Sequence, residues 1–459
     1  MRLYNLRFDM PLEESSLTLL AQALRELDGG FAGLPSFEAI TPGADRMAEV
    51  LNAAAIRLRD NFPYFHPLYA GQMLKPPHPV ARAAYALATW INPNNHALDG
   101  GRASSAMEKE AVAELAALFG WKAHLGHLTS GGTMANLEAL WVAGQLRPGK
   151  RVAASSLAHY THERIGGVLK LPVVKIPSDR LGRMDLAALE AEAEGGEIGC
   201  VVATLGTTGV GSADPLPGIL RLREKYGFRV HVDAAYGGYF TLADNLGVPA
   251  RAAFDAIPEA DSLVIDPHKH GLQPYGCGCV LFRDPSTGAL YKHDSPYTYF
   301  SSQELHLGEI SLECSRAGAS AAALWATQRL LPLVKGGEFA QGLSASRRAA
   351  LEMTARLKAD PRFFVPLDPE LDIVVWAPRA VSASAVSAES QRIFDAGARR
   401  DLHLALIQLP LAFFAEGWPE GWPELIADRD SVLCLRSVLM KPEHERWIDG
   451  IMERLSDTK

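Results

Sequence analysis

Apolar positions in the middle of the chain gather into short runs, KRVAAS, LPVVKIP, IGCVVAT, FRVHVDA, SLVIDP and GCGCVLF, separated by stretches with helical spacing. Short Val- and Ile-rich runs read as strands, and segments such as Pro215 to Tyr226 read as helices. Most of the connections are long enough for crossovers, so the alternation predicts an α/β fold around a mostly parallel sheet with its ligand at the strand ends. Upstream, an amphipathic helix is predicted from Ser105 to Phe119. A polar, Gly-rich turn follows at Ser130 and opens a second helix with Leu137, Leu140 and Trp141 on one stripe.

The pattern changes after a predicted helix at Ala317 to Leu331. Gly336 and Gly337 mark a boundary, beyond which come a helix, the strand pair RFFVPL and DIVVWAP, another helix, the pair LHLALIQLP and SVLCLRSVLM, and a last helix from Pro442 to Leu455. Three units are expected: an N-terminal helical segment at 1–60, a large ligand-binding domain at 61–335, and a small α+β domain at 336–459.

Composition narrows the function classes. A chain of 459 residues, 48% of them hydrophobic, can bury a large core in more than one domain. A formal charge of −8 and the lack of a long basic run argue against a nucleic-acid partner. MRLYNLRFDMPLEESS lacks the apolar stretch of a signal peptide, and no run reaches the roughly 18 apolar residues of a spanning helix, so a soluble cytoplasmic protein without a membrane partner is expected. The five cysteines are widely spread. Cys277 and Cys279 lie one residue apart in an apolar strand without a second ligand pair, which points to buried thiols and to no metal site.

Candidate chemistry centres on Lys269, at the end of SLVIDPHKHG. An amine held at the end of a buried strand loses solvation and becomes a nucleophile toward carbonyls. Asp233 leaves the strand FRVHV in HVDAAYGG, and Ala235 beside it is small enough to lie against a flat ring. In TSGGTMANLEALWVAGQL, Ser130, Gly131, Gly132 and Thr133 precede a helix whose N–H groups and dipole suit a phosphate. Alone, these are a surface lysine, a helix cap and a capped turn. Together they supply what pyridoxal phosphate needs: a lysine for its aldehyde, an acid for its pyridine nitrogen and a cradle for its phosphate.

In order along the chain, NPNN at Asn92, SGGTMANL at Ser130, HYTHERIGG at His159, TLGTTGVGSADP at Thr204, HVDAAYGG, DPHKHG and LRSVLMKP at Leu435 resemble the group II pyridoxal-phosphate-dependent amino acid decarboxylases. The resemblance runs from about Phe62 to the C-terminus and implies the fold type I architecture of pyridoxal-phosphate-dependent transferases. It implies that Lys269 forms the Schiff base with the cofactor, that Asp233 pairs with the pyridine nitrogen, and that His159 stacks on the outer ring face. Thr208 is implied to orient the histidine or cofactor, Asp214 to support it, and His268 to sit near the phosphate. Arg436 is implied to grip the substrate carboxylate, and Tyr299 to protonate the α-carbon, with Tyr297 close enough to exchange with it. A homodimer with its active site at the subunit interface is also implied. Met134 departs from the family pattern, which often has an acid there.

The expected reaction is decarboxylation of an L-amino acid to a primary amine. Tyr64, Phe65, His66, Tyr69 and the run from Asn92 through Asn94 to His96 are candidate pocket residues, and their aromatic character favours an aromatic substrate. The alternatives are a carbon–carbon lyase of the sphingosine-phosphate-lyase type, an aminotransferase, and an inactive cofactor-binding scaffold. The lyase would need cations for a second phosphate.

Overall fold

A computed structural model describes residues 14–38, 43–292, 305–415 and 424–456. Seven strands form the larger sheet: β1 (Leu125–Thr129), β2 (Arg151–Ser155), β3 (Val173–Ile176), β4 (Ile198–Thr204), β5 (Arg229–Asp233), β6 (Ser262–Ile265) and β7 (Gly278–Phe282), in the order β1-β7-β6-β5-β4-β2-β3. Pairing is parallel from β6 across to β3, and β7 runs antiparallel to both β1 and β6. Every residue of β4, β6 and β7 is buried, which is why these strands read as continuous apolar runs instead of alternating ones.

The helix Leu216–Tyr226 ends at Gly227, which takes the left-handed conformation with φ +74° and so turns the chain into β5. β1 has no counterpart in the sequence reading, because its polar His127 and small Gly126 hide it. The structure shows His127 Nε2 3.0 Å from Glu138 Oε2, with both side chains buried, so the polar residue has a partner inside the core.

The second sheet has the order β10-β11-β9-β8, all antiparallel, from β8 (Phe363–Phe364), β9 (Ile373–Pro378), β10 (Ala405–Pro410) and β11 (Ser431–Val438). The two hairpin-like pairs expected from sequence are present, and β11 joins them by pairing with β9. Met353 and Leu357 of the helix Glu338–Ala359 share one core with Trp376 and Leu435 of the sheet and with Ile448 and Ile451 of the helix His444–Ser456. At the N-terminal end are the helices Glu14–Gly29 and Ala44–Leu58, and the second buries none of its residues. Among the described residues no helix is long and apolar enough to cross a membrane.

Candidate active site

β1, β4, β5 and β6 all point the same way, so Ser130, Thr204, Asp233 and Asp266 emerge together along one edge of the large sheet. They open on a cavity of about 290 Å³. Its wall brings together Ser130, Gly131, Gly132, Thr133, His159, Thr208, Asp233, Ala235, His268 and Lys269, which the sequence spreads over 140 positions. Met134 also reaches the wall.

The acid is buried and held. His162 Nε2 lies 2.9 Å from Asp233 Oδ2, and the N–H of Ala235 donates to Oδ1 at 3.1 Å. Burial by itself would raise the Asp233 pKa. The His162 hydrogen bond and the charges of His162, Lys269 and His231 outweigh it, so the carboxyl stays well below the usual range and remains anionic. His159 accepts from the N–H of Thr161 at 3.2 Å and meets the Thr161 hydroxyl. Burial lowers its pKa against the opposing pull of Asp233, so its imidazole is neutral at neutral pH.

Lys269 follows β6 in a tight turn. Its Nζ lies 3.0 Å from Asp266 Oδ2, and His268 Nε2 lies 3.5 Å from the same oxygen. Asp266 Oδ1 is buried without a partner, although it lines the cavity. Leu272 closes this turn with φ +63°, a conformation that a leucine adopts only under constraint from its surroundings.

The proposed anion seat is built from backbone. Gly131 caps the helix Gly132–Leu146 with φ +149°, and a Cβ added to Gly132 would lie 2.5 Å from Asp266 Oδ2. Only glycine permits this approach. The first-turn N–H groups of Gly132, Thr133 and Met134 meet no acceptor among the described residues, as an anion site at a helix start requires. The Ser130 N–H is already engaged by Glu313 Oε2 at 2.9 Å.

This set fits pyridoxal phosphate on its own chemistry: an amine in the cavity wall, a buried carboxylate fixed as an anion, the small side chain of Ala235 beside it and a row of free amides. Sequence reading missed Asp266, His162, Thr161, Thr204, Gly206, Tyr236 and Asn136, all of which line the cavity or, for His162, hold its acid. Asp266 stands in the motif three residues before Lys269, and His162 in the motif three residues after His159, so both signals were available.

The structure does not bring the substrate-side candidates to this cavity. Arg436 lies on β11 with its guanidinium donating to the carbonyls of Gly209 at 2.9 Å, Thr208 at 2.6 Å and Gly71 at 3.4 Å. His66 meets Trp447 edge to face, with ring centroids 4.8 Å apart. Asn94 accepts from the N–H groups of His96 and Arg316 and donates to Ser315. Tyr64 and Tyr69 pack edge to face at 5.0 Å, and Phe65 lines a different cavity. Asp214 does not touch Thr208 or His159. It accepts from the N–H groups of Thr204 at 2.8 Å and Met184 at 2.7 Å, and burial raises its pKa to about 7. Tyr297 and Tyr299 lie outside the described residues.

The profile of the pyridoxal-dependent decarboxylase conserved domain matches residues 63–378. The chain belongs to that family. It is therefore a pyridoxal-phosphate-dependent carboxy-lyase of α/β class. The chain is similar to the L-tyrosine decarboxylase of Enterococcus faecium, at 29% identity over 78% of this chain and 77% of that one. It is also similar to a probable L-tyrosine/L-aspartate decarboxylase of Methanococcus maripaludis, at 26% over 90% and 98%. A crystal structure of mouse CSAD superposes with a TM-score of 0.76 at 20% identity, covering 97% of this chain and 99% of that one. The sphingosine-1-phosphate lyase of Burkholderia pseudomallei superposes at 0.73 and 19%, covering 93% and 92%. Likenesses at this identity establish the fold.

Proposed function

We propose that this decarboxylase acts on an L-amino acid with an aromatic side chain, releasing the primary amine and carbon dioxide. The observation that carries the choice is the charge of the cavity wall: among the described residues, Lys269 is its one lysine or arginine. A glutamate or aspartate side chain, or the second phosphate of a lyase substrate, would need a further cation there. The L-tyrosine decarboxylase relative supports the same choice.

Bound pyridoxal phosphate supplies an electron sink for the pair released when the bond from the α-carbon to the carboxylate breaks. The chain's own groups do the rest. Lys269 would hold the cofactor through its amine. Asp233, kept anionic, would retain a proton on the pyridine nitrogen. Neutral His159 and Ala235 would hold the ring, and Gly131, Gly132, Thr133 and His268 would hold the phosphate. Arg436 is a positioning residue that braces the Thr208–Gly209 turn from the small sheet. Tyr299 remains the proposed proton donor to the α-carbon, with Tyr297 as its neighbour in sequence.

A homodimer completes the reading. Met47, Val50, Leu51, Ile56 and Leu58 of the helix Ala44–Leu58 are exposed, an apolar face of the kind that a second copy covers. All five cysteines are free, four of them buried, which suits a reducing cytoplasm.

A panel of L-amino acids given to the cofactor-loaded enzyme, with carbon dioxide, amine and aldehyde measured separately, tests the substrate. Tyrosine or phenylalanine is expected to exceed aspartate and glutamate in kcat/KM by at least about 100-fold, the scale set by an unpaired buried polar group. Preference for an acidic substrate would overturn the aromatic assignment. Aldehyde without amine would count against Tyr299.

A further inference from the structure

Behind the turn that carries Lys269 lies a second cavity, of about 410 Å³, which the proposed reaction does not use. His270, the next residue along the chain, forms part of its wall, so the two cavities lie on opposite sides of one turn. Two lysines face into it. Lys441 is 3% exposed, and its Nζ donates to the Tyr69 carbonyl at 2.6 Å. Lys75 donates to the Met440 carbonyl at 3.3 Å.

An ammonium has three protons to place, and each of these has one backbone acceptor and no carboxylate within ion-pair distance among the described residues. Holding the buried Lys441 near the half-buried Lys75 is unfavourable unless an anion joins them. Burial lowers Lys75 to about 8, opposed by Asp372 and Glu443, and lowers Lys441 to about 7, helped by the charge of Lys75. His270 adds an independent sign: it is 1% exposed, and its Nδ1 has no partner, while its Nε2 stands 3.3 Å from Asp372 Oδ2.

We infer that the cavity between Lys75 and Lys441 is a binding site for a small monocarboxylate with an apolar body. Lys75, Arg82 and Lys441 are matched in charge by Glu338 and Glu443 of the wall and by Asp372 behind His270, so a ligand with one negative charge enters together with a proton for the lysine that burial leaves partly neutral. A dianion would meet the two carboxylates. The body of the ligand would lie on Phe339, Leu343 and Leu272, the apolar part of the wall. The site reaches the reaction centre through Asp372, whose Oδ1 accepts from the Tyr236 hydroxyl at 2.6 Å, and Tyr236 lines the cofactor cavity.

The test titrates the cofactor-loaded enzyme with benzoate and, at matched ionic strength, with inorganic phosphate, by calorimetry in two buffers of different ionisation heat. At a pH between the values of the two lysines, benzoate is expected to bind with proton uptake and phosphate to bind more weakly. Lys441→Met and Lys75→Met should each weaken benzoate by about 10-fold or more, the loss of one charged hydrogen bond, while melting temperature reports that each variant is folded. Should Lys441→Met fail to fold, Lys75→Met decides. Absence of benzoate binding, binding unchanged in the folded variants, or a preference for phosphate would overturn the inference. Benzoate held in the cofactor cavity would survive both substitutions and is counted among those contrary results. The choice of amino acid substrate plays no part in this test.

Discussion

Lys269→Ala is expected to lose turnover by at least about 10,000-fold, together with the absorbance of the lysine-bound cofactor. No other amine lines the cavity among the described residues, so none can take over the covalent role. The substitution also strips the nearly buried Asp266 of the ammonium 3.0 Å away, which by itself would disturb the seat. Lys269→Arg separates the two effects. A guanidinium keeps a cation beside Asp266 but cannot join an aldehyde, so this variant should melt close to the wild type and be equally inactive. Turnover by a folded Lys269→Arg enzyme would show that the covalent role lies elsewhere.

Asp233→Asn should lower kcat by about 100- to 1,000-fold while the cofactor still attaches to Lys269. The amide can keep the 2.9 Å contact with His162 and the 3.1 Å contact with the Ala235 N–H, so the geometry survives and only the negative charge goes. Without that charge the pyridine nitrogen has nothing to hold its proton, and the ring is a poorer electron sink. The sign of the pH dependence follows from the depressed pKa of Asp233. Its folded value lies below the ordinary 3.8, so its stabilising contribution is complete above that value and is lost only as the pH falls further. Wild-type kcat should therefore show no acid limb from Asp233 at pH values above about 4. An Asp233→Asn enzyme with wild-type kcat would remove the carboxylate from the mechanism.

Much of the cofactor side was legible because each motif sits where a strand ends. Asp233 ends β5 and Lys269 follows β6, and parallel strands deliver their C-terminal ends to one edge, so apolar runs closing on polar residues already located the site. The glycines of the seat were legible for a related reason, since Gly131 and Gly132 tolerate an approach that no side chain could.

The missed residues act through pairing, which spacing does not display. His162 matters because the helix Thr161–Leu169 aims it at Asp233, 71 positions away. β1 was hidden because His127 is satisfied by Glu138 only after folding. The substrate side was legible least. Arg436, His66 and Asn94 are spent on contacts within the chain that no local pattern announces, namely three carbonyls, a tryptophan ring and a loop. A residue type suited to a carboxylate is equally suited to a backbone carbonyl, and only the fold decides between them.

The most direct test of the central claim is to load the chain with pyridoxal phosphate, reduce it with borohydride, digest it and locate the modified lysine by mass spectrometry. The site geometry predicts one stoichiometric modification, on the peptide containing Lys269. Modification of Lys75, Lys441 or any other lysine in its place would contradict it.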